Sequence, residues 1–388
     1  VPAAVAGALF VAAAATGALA HGCSIYDSTL LVAASGDAAA IDGSSDATTD
    51  ASDGGAEAAG WCGVQPPPPT DASDGTQDIT FTVALHVLDF GAVPDAGVNP
   101  MLGYDLDGVC TCPGAGSCVP YMSGSNVCDE PMGRDNSTDQ LLNALASQAG
   151  DTFNQDAINN NLNLGYYGLL VRVTKYNGGQ NDPQVSVAIF VSDGTRPDDG
   201  GAEPVTPVWD GTDVWTLDEG SVVTGGGDAG TAFPRFVDPN AYVSNGTLVA
   251  SVNFPLTLGG GSSIGLVTIN LQGGFVTATI APSQGSYELQ NGQLVGRWPT
   301  GEMLSAISVL SIDGTPLCPD TALFQYVKGL VCAAADVTSS TTADASAPCS
   351  ALSLAAGFSA TPALEGAVFA KSAPVSPCAD AGDAGDCF

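Results

Sequence analysis

Ile79-Thr80-Phe81-Thr82-Val83-Ala84-Leu85-His86-Val87 alternates apolar residues (79, 81, 83, 85 and 87) with Thr80, Thr82, Ala84 and His86, a period of two held over nine residues. Successive side chains of a strand point to opposite faces, so this stretch predicts a half-buried β-strand. Comparable runs recur at 169–176, 185–192, 241–253, 264–271, 275–280 after a Gly273-Gly274 break, and 351–360. Gly-rich turns separate them, which suits the short connections of antiparallel pairing. Strands do not alternate with crossover helices, which argues against a doubly wound parallel sheet. The expected fold is therefore mainly β, an antiparallel β-sandwich-like domain over residues 79–377 with several peripheral helices.

The helices are placed by caps and apolar stripes. Ser137-x-x-Gln140 and Thr152-x-x-Gln155 read as capping boxes, and Thr300 and Asp320 read as N-caps. Behind Asp320, Leu323, Val327, Leu330, Val331 and Ala334 follow the rhythm of a helix packed on a sheet.

Outward from this domain the composition changes. The 388 residues carry 41 Asp and Glu against 8 Lys and Arg, a formal charge of −33, with only Lys175, Lys328 and Lys371 as lysines. Neutralising a phosphate backbone needs clustered basic residues, so no nucleic-acid partner is expected. Nine of the acids and no base lie between Ser35 and Asp78, among Ala, Gly, Ser and Thr, and Pro66 to Pro69 follow one another. Such a stretch buries too little to offset ordering entropy, so residues 23–78 are expected to be a disordered acidic tether whose prolines stiffen its end.

Residues 1–20, VPAAVAGALFVAAAATGALA, contain no charged side chain and have the length of a signal-peptide core or one membrane span. Two cleavage readings stay open: an A-x-A site at Ala18 and Ala20, or a lipobox in which Gly22 precedes a lipidated Cys23. Cysteine parity favours the second, because 11 Cys leave ten for disulfides once Cys23 carries lipid. Gly22-Cys23 after an apolar run and before an Asp/Ala/Gly/Ser tether resembles an exported bacterial lipoprotein of the Gram-negative type. That resemblance implies a signal peptide over 1–22 and a membrane partner through the lipid. Ser24, read by the family's sorting rule, implies an outer-membrane or cell-surface location. Gly133-Arg134-Asp135-Asn136 and Gly296-Arg297-Trp298 resemble stretches of uncharacterised exported bacterial proteins, a likeness that brings no activity with it.

An exported chain favours disulfides over a zinc site, and C-x-C-x5-C-x9-C at Cys110, Cys112, Cys118 and Cys128 does not match zinc spacing. A Cys110–Cys112 bridge would be strained, so each is expected to pair with Cys118 or Cys128. Helical spacing keeps Cys318 from Cys332, since twelve residues at about 1.5 Å each exceed the reach of about 7 Å between bridged Cα atoms. Cys332 with Cys349, Cys378 with Cys387 around a tail of residues 378–388, and Cys62 with Cys318 by elimination are the pairings expected.

Chemistry is constrained by what is scarce. Only His21 and His86 occur, so a His-dependent nucleophile has one candidate at most, and His86 reads as a surface or hydrogen-bonded residue. No H-E-x-x-H or G-x-x-x-x-G-K-[ST] pattern is present. No catalytic residue is assigned and no organic cofactor is expected. Asp105, Asp107, Asp135, Asn136 and Asp139 form an oxygen-rich constellation in Gly-containing loops, of the kind that takes calcium, with caps and turns as the competing reading. Trp209 and Trp215 flank Asp210-Gly211-Thr212-Asp213 and form a candidate sugar-stacking pair, against the commoner role of core tryptophans. The function expected is structural or binding at a cell surface, with a carbohydrate or protein partner; the alternative is a carbohydrate-binding or carbohydrate-processing module.

Overall fold

The computed structural model describes residues 63–71, 75, 77–91, 101–112, 116–122, 127–142, 155–196, 204–223, 233–259, 266–312, 315–342, 344–369, 378 and 384–388. The expected signal peptide, Cys23, Trp61-Cys62 and most of the expected tether lie outside them. No described helix is long and apolar enough to cross a membrane.

The chain folds as a closed barrel of eight antiparallel strands, which overturns the expected sandwich. The strands are β1 (Ile79–Asp89), β2 (Gly168–Tyr176), β3 (Asp182–Ser192), β5 (Phe236–Ser244), β6 (Thr247–Gly259), β7 (Leu266–Ser283), β8 (Ser286–Pro299) and β11 (Ala351–Pro362). They run β1-β11-β8-β7-β6-β5-β3-β2 around the barrel, and β2 pairs with β1 again. The decisive strand is β8, which has no clean alternation in SYELQNGQLVGRWP and is absent from the sequence expectation. It pairs with β7 on one side and β11 on the other, so the sheet has no edge at which to become a sandwich.

Two other strand expectations change. The run 241–253 is a hairpin, β5 and β6 joined at Asn245-Gly246, where both residues have positive φ (51° and 80°) as a type I′ turn demands. Gly273-Gly274 does not break the strand but sits in a bulge within continuous β7. A Cβ on Gly274 would run into the Val295 carbonyl oxygen, so only glycine lets β7 and β8 approach there.

Alternate residues fill the interior. Phe81, Val83 and Leu85 of β1 join Val171 and Val173 of β2, Val187 and Ile189 of β3, and Leu352, Leu354 and Ala356 of β11 in one apolar core. This is the reverse of a lipid-spanning barrel, whose lumen is polar. Helix α3 (Thr300–Ile307) adds Met303, Leu304 and Ile307, and α4 (Ala322–Ala334) adds Phe324, Val327 and Val331 to that core. Helix α2 (Gln155–Asn163) is fastened to the end of β1: Asn159 accepts from Leu88 N at 2.9 Å and donates to Leu88 O at 2.8 Å. Residues 137–142 are helical and are called α1.

Outside the barrel wall, β4 (Val214–Asp218) and β12 (Leu364–Phe369) pair in parallel and bury Trp215 and Leu217 on Ala84, Leu170, Ala188 and Phe190. One ion pair ties this layer to the wall, Arg172 to Glu365 at 2.9 Å. Strands β9 (Ser311–Ile312) and β10 (Thr315–Pro316) form a separate two-stranded ribbon.

The caps are reassigned by tertiary contacts. Thr321, not Asp320, caps α4 by accepting from Phe324 N. Pro299 occupies the N-cap of α3, and the Thr300 hydroxyl donates to Ser350 O and bonds Asp386 instead. Ser137 gives its hydroxyl to Asp336 rather than to its own helix. Thr152 lies outside the described residues.

The folded unit begins before residue 79. Gly63 N donates to Met132 O and Asp105 N to Val64 O, Val64 packs against Leu102 and Tyr104, and Tyr242 OH donates to Pro67 O at 2.7 Å. Pro67, within the proline run, is thus held on the domain.

Disulfides are present, but most pairings differ from expectation. Cys112–Cys128 is one of the combinations left open; Cys118–Cys349, Cys318–Cys378 and Cys332–Cys387 replace the others. Cys62–Cys318, Cys332–Cys349 and Cys378–Cys387 do not form, because Cys318 and Cys332 are each taken by the C-terminal tail. Cys110 is disulfide-bonded as well, but not to Cys118 or Cys128, which pair elsewhere. These bridges fit an oxidising, exported environment.

Candidate functional site: an acid cluster on the barrel wall

The outer face of β11, β8 and β7 carries the polar constellation. Ser353 of β11 and Gln272 of β7 flank Arg297 of β8 in register, and residues 102–106 and 135–138 lie against this part of the wall. Tyr104 and Leu102 seat that segment on Val295 and Ala355, and Tyr104 OH bonds the Thr277 hydroxyl at 3.0 Å. Asn136 Oδ1 accepts from Ala355 N, and Ser137 N donates to Ser353 Oγ.

Within this frame Asp105, Asp107 and Asp135 each bring a carboxylate oxygen within 4.8 Å of the others. Asp135 is enclosed and accepts from Leu106 N at 2.6 Å; Asp105 accepts from Gly108 N at 2.6 Å and Asp107 from Val109 N at 2.8 Å. Asn136 is spent on the barrel wall, and Asp139 stands on α1 outside the three-carboxylate group. Two further acids join that the sequence reading omitted. Asp129 accepts from Thr111 N at 2.7 Å, and Asp336 accepts from Ser353 N and Ser137 Oγ, both at 2.8 Å, and from the Ser353 hydroxyl. Asp336 lies about 200 residues from Asp135 in sequence, a relation only the closed sheet creates.

Arg297 is the internal counter-charge. Its side chain is 2% exposed, Nη1 donates to Gly273 O at 3.0 Å and Nη2 donates to Leu106 O. Gly273 has φ +55°, and a Cβ there would stand 2.9 Å from Nη1, so glycine makes room for the guanidinium. One cation does not balance five carboxylates. Burial, with the neighbouring charges of Asp336 and Asp107 adding to it, pushes Asp135 up to about 9. Burial likewise raises Asp129 to about 7, with Asp107, Asp336 and Asp105 adding, and Asp336 to about 6, while Asp105 is raised chiefly by burial.

An acid whose folded value lies above its unfolded value binds a proton preferentially in the native state, so its stabilisation is full below about pH 4 and is lost as pH rises through the folded value. From these groups the domain is expected to lose thermal stability as pH rises from about 4, the contributions of Asp336, Asp129 and Asp135 to that decline ending near pH 6, 7 and 9 in turn. Asp135→Asn keeps the acceptor for Leu106 N and removes the last of these contributions. Thermal unfolding followed by circular dichroism from pH 4 to 9 checks this: the variant should match the parent near pH 4 and melt progressively higher than it toward pH 9.

The same oxygens suit a hard cation in spacing, since oxygens about 2.3–2.6 Å from calcium lie about 3–5 Å apart. The three carboxylates provide that spacing without the bidentate twelfth-position Glu of an EF-hand. Adding millimolar calcium at pH 8 after chelation decides the calcium expectation, and an unchanged melting midpoint removes it.

The tryptophan pair is not a platform. Trp215 is fully buried and Trp209 meets it at 5.4 Å and 46°, so the rings are neither exposed together nor coplanar. His86 stacks on Trp209 at 4.2 Å and 21°, and burial lowers its imidazole, opposed by a hydrogen bond with Asn163. The Asp213 carboxylate holds the loop by accepting from Val208 N and Trp209 N. Gly261-Ser262-Ser263-Ile264-Gly265 has the G-x-S-x-G spacing of a nucleophile elbow and lies outside the described residues. No family model, curated protein or solved structure matches the chain.

Proposed function

We propose that this chain is an exported module with a structural or binding role at a bacterial cell surface, attached to the outer membrane by lipid on Cys23. The observation in support is the combination of a barrel filled by its own side chains with loops and tail stapled by four described disulfides. A filled lumen holds no small ligand, so a partner meets the outer surface and loops. The buried acids are engaged with backbone N–H groups, which suits holding a loop in place better than turnover. A carbohydrate-binding role has lost its main support with the burial of Trp215.

The test is expression of residues 1–388 behind an initiating Met in a Gram-negative host supplied with labelled fatty acid. Label should enter the parent chain and be lost in Cys23→Ser, with the parent in the outer-membrane fraction and the variant released. Unlabelled parent protein in the medium would overturn the lipid attachment.

A further inference from the structure

Three of the four described bridges are enclosed to some degree: Cys118, Cys349, Cys332 and Cys387 are buried, and Cys318 and Cys378 are half-buried. Cys112 and Cys128 are both exposed, and Cys112 is held at φ +61°, a left-handed conformation that a residue with a Cβ adopts at a cost. The flanking residues join this bridge to the acid cluster, because Thr111 N donates to the Asp129 carboxylate and Asp129 N donates back to Thr111 O. On either side the chain is anchored independently, by the disulfide of Cys110 and by Cys118–Cys349 beside the Val119–Pro348 bridge.

We propose that Cys112–Cys128 is a thiol–disulfide exchange site, opened by an external dithiol, and that its opening releases Asp129 from Thr111 while the barrel stays folded. One thiolate of the dithiol attacks an exposed sulfur, the Cys112–Cys128 bond breaks and the other cysteine leaves as thiolate. The second thiol of the reagent then displaces the mixed disulfide. Two electrons and two protons pass to the protein, leaving two cysteine thiols and one oxidised reagent. Access selects this bridge, since the attacking sulfur must reach along the S–S axis and Cys112–Cys128 is the exposed pair among the described bridges, the others being half-buried or buried. The consequence is local: the ladder around β11 and the clamp at Arg297 do not depend on Cys112.

The experiment uses the full chain without denaturant. Limiting dithiothreitol is followed by alkylation and peptide mapping, and Cys112 and Cys128 should be alkylated at least about tenfold faster than any other bridged cysteine. Another bridge opening first, or at the same rate, overturns the site assignment. Hydrogen exchange reads the second half of the proposal. The amides of Thr111 and Asp129 should exchange faster after partial reduction, and in Cys112→Ser/Cys128→Ser without reductant, while those of β11 keep their protection. Unchanged exchange at Thr111 and Asp129, or loss of protection in β11, overturns the local release.

Discussion

Arg297→Met is expected to lower the unfolding free energy by about 3–5 kcal/mol, the range for removing one partner from a buried charged network. The guanidinium is enclosed on the outer face of β8 and reaches two carbonyls, Gly273 O in the β7 bulge and Leu106 O in the acid loop. Each hydrogen bond from a charged donor is worth about 1.5–3 kcal/mol, so their loss alone reaches that range. Met fills much of the volume, which leaves the two carbonyls and the uncompensated carboxylates as the cause of the change. Arg297→Lys should recover little, because an ammonium is a point charge and cannot span both carbonyls as a planar fork does. Chemical denaturation at pH 7 measures both. The pH profile separates charge from the other contributions: the deficit of the Met variant should shrink from pH 7 toward pH 5, as Asp129 and Asp336 join Asp135 in being protonated. A deficit independent of pH would assign the effect to the two carbonyl hydrogen bonds and to packing, and not to the carboxylates.

Removal of Cys118–Cys349 by a double Ala substitution is the second large effect. The bridge closes 231 residues, for which the chain-entropy relation gives about 5 kcal/mol, against about 3 kcal/mol for the 16 residues closed by Cys112–Cys128. Both sulfurs are buried, and the backbone beside them is paired: Val119 N donates to Ala347 O at 2.7 Å and Cys349 N to Val119 O at 2.8 Å. The bridge therefore holds the cysteine loop against the segment that leads into β11, on the same side as the acid cluster. Urea denaturation midpoints should fall further for Cys118→Ala/Cys349→Ala than for Cys112→Ala/Cys128→Ala. The opposite order would show that the loop is held by its hydrogen bonds and Arg297, with the long bridge contributing little.

The two effects converge on one part of the molecule, and this part was only half legible in the sequence. Asp105, Asp107 and Asp135 stand out because they lie in Gly-containing loops within about 30 residues, and the structure brings these three together. Asp336 carries no such signal. It follows α4 in a stretch of Ala and Val, and its place in the cluster depends on β11 lying beside β8. Arg297 had one available signal, an arginine in a segment that also holds Leu294, Val295 and Trp298, but its buried role rests on the glycine bulge of the neighbouring strand. Trp209 and Trp215 illustrate the opposite failure. Their spacing suggested a hairpin display, whereas β12 arrives from about 150 residues further on and covers Trp215.

By itself the sequence determined that this chain is built mainly of antiparallel strands with helices beside them, that it carries a large excess of acid over base, and that the cysteines of its described part serve as crosslinks. Those properties follow from neighbours: side-chain alternation, glycine turns, local charge and residue type act over short stretches of chain. Closure of the barrel, the cysteine partners and the acid–arginine cluster were decided only by tertiary structure. Each joins residues tens to hundreds of positions apart, and the register that joins them is set by burying one face of every strand at once.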